Sequence, residues 1–362
     1  MRLELSVALA LTTVLIGCGS DASPRVAPAP RLTTEARVIP LAPPLAVGVA
    51  TVTTKTTPVS PTSAKPVTAP SSTAAETFPI TTTSERTSGC IARAAPLTTT
   101  NGRHVILRAP GLAQPAPTVI VMHGYSGTPE AIERFSELTD RAIARGVAVV
   151  YPEGTPTPAG GFGWSSGAGL FSTSTTDDVE ALGEMIDAVI ETGCVDGQRM
   201  VIAGESNGAG MALVAICDER MRNRFSAAVL VIPAIDDAVL ARCDRTKTMP
   251  IGVSVVAGKL DETVGYAEGR PPFLGAEQWF QTVASLVNDC PQQTPLRLDI
   301  DAFVERLDMS GCAGCTEMFA IADGTHTWPG SSQGTGDLRP GTFALSDRLV
   351  ALALDPDQRC LS

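Results

Sequence analysis

The chain has 362 residues and a formal net charge of −11, with no run of Lys or Arg, so a phosphate-tracking surface and a nucleic-acid partner are excluded as readings. Its length would allow two domains, but the first quarter does not read as a folded core, which leaves about 270 residues for one large domain. Nine cysteines are present, and with Cys18 set aside the other eight can pair completely in an oxidising compartment.

Residues 1–18 read as an export signal. An apolar run from Leu5 to Ile16 follows Met-Arg-Leu-Glu and is too short for a permanent membrane span. It ends in Leu15-Ile16-Gly17-Cys18, which resembles a bacterial lipoprotein box, so cleavage before Cys18 would leave that thiol carrying lipid. Residues 19–88 are rich in Pro, Thr, Ser and Ala, without an apolar period of 2 or 3.6. They are expected to be a disordered linker, spanning roughly 45 Å if they behave as a flexible coil.

The catalytic candidate is the region 89–362. Short apolar runs alternate there with segments of helical period, the pattern of a mostly parallel sheet covered by helices on both faces. Strands are expected at Val105–Leu107, Thr118–Met122, Val147–Tyr151, Met200–Ala203, Ala227–Ile232, Ile251–Val256 and Met318–Ile321. Helices are expected near 129–145, 178–192, 207–222, 276–288 and 345–354. In the second, Asp177 caps a stripe of Val179, Leu182, Met185, Ile186, Val189 and Ile190 that should face the sheet.

The strand Met200–Ala203 runs into Gly204-Glu205-Ser206-Asn207-Gly208, with a helical segment directly after. Small residues around a serine in this setting let the backbone turn sharply and lift the hydroxyl above the sheet. Ser206 is therefore the candidate nucleophile. A serine hydroxyl needs a base, and the chain has only His104, His123 and His326. Hydrolases with this turn order their triad Ser, acid, His along the chain, which leaves His326 in the loop Asp323–Gly330. The acid should lie between them at the carboxyl end of a strand. Asp261 fits best, while Asp236, Asp237 and Asp244 follow the preceding strand and Glu262 is an adjacent substitute.

His123-Gly124-Tyr125-Ser126-Gly127 closes the strand Thr118–Met122. The backbone N–H groups of Tyr125 and Asn207 are the expected oxyanion donors. His123 itself is expected to be structural. Trp164 and Trp328 read equally as walls of an acyl pocket and as core packing. Cys312-Ala-Gly-Cys315 has CxxC spacing, but no second CxxC accompanies it, and neither a metal nor an organic cofactor is implied.

With these residues in view, the region from about 90 to 355 resembles the poly(3-hydroxybutyrate) depolymerase and feruloyl esterase-like group of α/β-hydrolases. The marks are His123-Gly124, Gly204-Glu205-Ser206-Asn207-Gly208, the Asp261 loop ending at Tyr266, and His326-Thr327-Trp328-Pro329. The resemblance implies an α/β-hydrolase fold, a Ser206–Asp261–His326 triad, and disulfides Cys217–Cys243 and Cys290–Cys312, with Cys90, Cys194, Cys315 and Cys360 unassigned. One departure stands out: Ala257-Gly258-Lys259-Leu260-Asp261 replaces the family's usual His-Gly-Thr-Ala-Asp. The function expected is an exported serine esterase acting on hydroxyalkanoate oligomers, feruloyl esters or other small acyl esters. Its partners would be the ester and, through a lipid anchor only, the membrane; no obligate protein partner is evident. A peptidase or acyltransferase on the same fold is the alternative, and a catalytically dead surface binding protein is a second.

Overall fold

The computed structural model describes residues 90, 96–167, 177–243, 250–333, 343–355 and 357–361. The expected signal peptide, Cys18, the 19–88 tract and Asp244 lie outside the described residues.

Near-continuous apolar runs become strands because both of their faces are covered. In chain order the chain forms β1 (Leu97–Thr98), β2 (His104–Arg108), β3 (Ala116–Met122), α1 (Pro129–Ser136), α2 (Leu138–Ala144), β4 (Ala148–Pro152), β5 (Thr155–Pro156) and β6 (Phe162–Gly163). Then follow α3 (Asp178–Ile190), β7 (Val195–Glu205), α4 (Asn207–Cys217), β8 (Ala227–Val231), α5 (Asp237–Leu240), β9 (Gly252–Gly258) and α6 (Ala276–Asn288). The series closes with β10 (Leu296–Asp299), β11 (Val304–Asp308), β12 (Thr316–Ile321) and α7 (Leu345–Leu354).

The main sheet runs β1-β2-β4-β3-β7-β8-β9-β12-β11-β10. Its middle, from β4 to β12, is parallel, and the two flanks are antiparallel. Alternate side chains of one strand enter different cores. Ile120 and Met122 of β3 and Met200 and Ile202 of β7 pack with α3, α4 and α6. Val119, Val121, Val201 and Ala203 pack on the opposite face with α2 and α7. The helices α3 and α6 turn an apolar stripe to the core on this sheet. Asp177 accepts the Val179 and Glu180 N–H groups at 3.0 and 3.2 Å to start α3. All eleven residues of α4 are buried, as expected of a helix that is apolar on every side.

Two expectations are corrected, and one element is new. The helix foreseen over 129–145 is two helices, broken where Glu137 adopts φ 49°. The helix from 207 ends at Cys217 rather than 222. The hairpin of β10 and β11 was not foreseen: β10 lies on the sheet's edge with most of its side chains in solvent, so it lacks the apolar run that marks the inner strands.

Four disulfides join Cys90 to Cys194, Cys217 to Cys243, Cys290 to Cys312 and Cys315 to Cys360. The two pairs implied by the resemblance are present, and the four unassigned cysteines pair with one another. Cys312 and Cys315 thus take different partners, which removes the CxxC spacing as a redox or metal motif.

Candidate active site

The loops after β3, β7, β9 and β12 emerge at one edge of the parallel sheet and bring the expected residues together. At the end of β7 the chain turns at Ser206, with φ 54° and ψ −114°, and enters α4. A non-glycine residue at such angles costs about 1–3 kcal/mol, and the surroundings hold it there. Its N–H donates to the Val231 carbonyl at 2.9 Å, and its own carbonyl accepts the Ala209, Gly210 and Ala234 N–H groups. The flanking glycines permit the close packing. A Cβ on Gly204 would collide with the Gly208 carbonyl, and one on Gly208 would lie 2.5 Å from the carbonyl oxygens of Met122 and His123.

The acid and imidazole loops are bonded to each other. Lys259 N–H donates to the Ile321 carbonyl and Leu260 N–H to that of Gly324, each at 2.9 Å. Across this link His326 Nδ1–H donates to Asp261 Oδ2 at 2.7 Å, while Asp261 Oδ1 accepts the N–H groups of Thr263 and Val264 at 2.8 and 3.0 Å. Burial acts to raise the Asp261 pKa, but the His326 bond and charge and the two backbone donors outweigh it and hold the carboxyl below the usual range. The second ring nitrogen, Nε2, is thereby left as the acceptor. Ser206 and His326 line one cavity of about 530 Å³. Among the described residues no hydrogen bond joins them, a spacing common in unliganded sites.

The oxyanion-side loop is held by its own network. Gly127 N–H donates to the Gly124 carbonyl at 3.0 Å, with Ser126 between them at φ 61°. His123 Nε2 accepts the Gly154 N–H at 3.2 Å, so Nδ1–H donates to the Gly124 carbonyl at 2.8 Å. Burial pushes the His123 pKa down to about 4 and keeps the ring neutral. His104 lies away from this site, bonded to Thr98 through Nδ1 at 3.1 Å.

Trp164 and Trp328 do not wall the cavity; both are wholly buried. Trp164 Nε1–H donates to the His123 carbonyl, and the Asn207 amide clamps its backbone, accepting the Trp164 N–H at 2.7 Å and donating to its carbonyl at 3.0 Å. Trp328 Nε1–H donates to Ser346 Oγ, which donates to the Ser136 carbonyl. Both indoles therefore fasten loops to the core. The apolar cavity wall is instead Tyr125, Ile132, Phe135, Val264 and Phe273.

Glu205 was not singled out by the sequence, because the position before the serine admits almost any residue. Its carboxyl lines the cavity, with Oε1 3.9 Å from His326 Nε2. Burial raises its pKa above the usual carboxylate range. The alternative acids Asp236 and Asp237 sit at the start of α5, where Asp236 Oδ1 accepts the Val239 N–H at 2.8 Å. Glu262 is exposed. Among the described residues no three His, Cys, Asp or Glu side chains cluster as a metal site.

A parallel sheet with helices on both faces, a serine on a strained strand–helix turn and an Asp–His pair on later loops define an α/β-hydrolase. Residues 134–249 match the model of the prolyl oligopeptidase family. NocK of Nocardia uniformis subsp. tsuyamanensis, which is assigned as an esterase, is 33% identical over 336 residues, covering 82% of this chain and 90% of that protein. Feruloyl esterase B of Piromyces equi is 28% identical over 195 residues, 50% of this chain and 34% of that protein. Among solved structures, the acetyl xylan esterase of Aspergillus awamori superposes with a TM-score of 0.47 at 13% identity, over 64% of this chain and 93% of that one. The chain belongs to the esterase family of α/β-hydrolases that includes NocK, and it is an ester-hydrolysing enzyme.

Proposed function

We propose that this enzyme hydrolyses small carboxylic esters through an acyl-enzyme on Ser206. The observation that carries the reading is the 2.7 Å bond from His326 to Asp261, on loops that bring the ring to the cavity of the strained Ser206. Ser206 Oγ attacks the ester carbonyl carbon as its proton passes to His326 Nε2, and Asp261 stabilises the imidazolium. The oxyanion is met by the N–H groups of Tyr125 and Asn207. His326 then returns the proton to the leaving alcohol as the ester C–O bond breaks. A water, deprotonated by the same ring, repeats the attack and releases the acid. The test is labelling with a fluorophosphonate together with ester turnover. Wild type should be labelled at Ser206, and Ser206→Ala should lose about four to six orders of magnitude in turnover while remaining folded. Wild-type rates in that variant would overturn the reading.

The family match over 134–249 favours a second reading, amide hydrolysis by the same residues. Assays of matched ester and amide substrates separate the two. For the ester itself, the mostly apolar cavity supports feruloyl, hydroxyalkanoate or other short acyl groups, and a panel of these esters ranks them.

The four disulfides support folding in an oxidising compartment outside the cytosol. On this reading residues 1–18 direct export, Cys18 carries lipid, 19–88 form a tether and 89–362 the catalytic domain. Mass spectrometry of the mature amino terminus tests the anchor, and an unmodified terminus beyond Cys18 would rule it out.

A further inference from the structure

Glu205 is the one carboxylate on the wall of the active-site cavity, and no Lys or Arg lines that wall among the described residues. The cations nearby line an adjoining groove that shares Thr263 and His326 with the cavity. There Lys259 is tied to Glu305 at 2.9 Å, and Arg270 shares the groove with Asp261 and Glu262. The Glu205 carboxylate packs against Gly124, whose lack of a Cβ leaves room for Oε2 and whose backbone acts to lower the pKa that burial raises. The His326 ring faces this carboxylate, with Nε2 3.9 Å from Oε1. Burial raises the Glu205 pKa, so its negative charge stands beside the nucleophile once the pH has passed that raised value, walled otherwise by Tyr125, Ile132, Phe135, Val264 and Phe273.

Resting on the esterase reading above, we propose that Glu205 is a specificity-determining residue that makes the cavity accept neutral or ammonium-bearing esters and turn away esters carrying a carboxylate. With Glu205 ionised, a second anion entering the cavity loses its hydration and meets a like charge, whereas an ammonium meets a counter-ion. Of the ester classes named above, neutral aryl and alkyl acyl groups fit the cavity, and hydroxyacid oligomers with a free carboxylate end do not. Glu205 also contacts the oxyanion loop, so its effect has to be separated from simple bracing. Gln at this position keeps an oxygen against Gly124 and removes the charge.

The experiment uses two matched ester sets from about pH 7 to 9, where the substrate carboxylates are ionised throughout and the discrimination should grow as Glu205 ionises. One carries the charge on the acyl chain: para-nitrophenyl hexanoate, the para-nitrophenyl monoester of adipic acid, and para-nitrophenyl ω-aminohexanoate. The other carries butyl, carboxybutyl and aminobutyl alcohols on hexanoate. In at least one set kcat/KM for the carboxylate member should fall about tenfold or more below the neutral member, with the ammonium member equal to it or better. Glu205→Gln should bring the three within about threefold, whatever its absolute rate. Equal kcat/KM for all members of both sets in wild type overturns the proposal without need of a variant. So does a gap that survives in folded Glu205→Gln. If no neutral ester is turned over and no fluorophosphonate label appears, the esterase reading itself has failed.

Discussion

Asp261 and His123 show how burial produces opposite outcomes at single residues. Asp261 keeps its charge because both of its oxygens are bonded: the ring on Oδ2 and two backbone donors on Oδ1. Asp261→Asn is expected to cost about four orders of magnitude in turnover, since an amide that donates to Nδ1 leaves the proton on the nitrogen facing the serine. Steady-state esterase rates check this. His123 instead stays neutral. The unfolded ring takes a proton near about pH 6.5, while the folded one waits until about 4. The unfolded chain therefore binds more protons between these values, and stability falls as pH drops through that window, by up to about 3 kcal/mol from this ring. Urea midpoints across this range should lose much of that slope in His123→Gln, and an unchanged slope would exonerate the ring. Glu205 works the other way, because its raised pKa makes the folded state the better proton acceptor just above the usual carboxylate range.

Elements position these residues more strictly than composition implies. Gly208 abuts the carbonyls of Met122 and His123, which belong to a buried strand end and cannot retreat. Gly208→Ala is expected to destabilise by about 3 kcal/mol and to abolish fluorophosphonate labelling, with thermal melting as the check. Asp178, at the start of α3, accepts Arg103 and Thr155 through Oδ1 and the Ser165 N–H through Oδ2. Asp178→Ala leaves a buried guanidinium without its counter-ion and should cost about 3–5 kcal/mol in chemical denaturation. The inner strands and most helices were legible because two-faced burial writes apolar runs and stripes into the sequence. The Glu137 break was not, since glutamate has no local reason to adopt a left-handed angle. The edge hairpin escaped too, with Leu296 60% exposed. The Asp261–His326 bond beside the Ser206 turn was legible from motif and order, whereas Glu205 was hidden in a permissive motif position and the place of Trp164 is explained by its bonds to Asn207 and the His123 carbonyl.

Across the whole molecule the disulfides close loops of different reach. Cys90–Cys194 spans 104 residues, against 26, 22 and 45 for the others. In the loop-entropy view it contributes most, about 4–5 kcal/mol, and Cys90→Ser paired with Cys194→Ser should lower the melting temperature more than removing either short-loop pair. Calorimetry on the three double variants tests the ranking. Cys315–Cys360 holds the carboxyl-terminal tail against β9, where Leu361 N–H donates to Ser254 Oγ at 3.0 Å. That tail therefore supports the strands from which Asp261 and His326 are hung.

Cys90–Cys194 has a mechanical consequence as well. Any tension arriving along the chain from upstream enters the domain at Cys90 and passes through a covalent bond to the residue directly before β7. The two-residue β1 and its pairing with β2 carry none of that load and are not unzipped by it. A pull that would otherwise peel the sheet from its weak edge is delivered to its centre, into the strand that leads into Ser206.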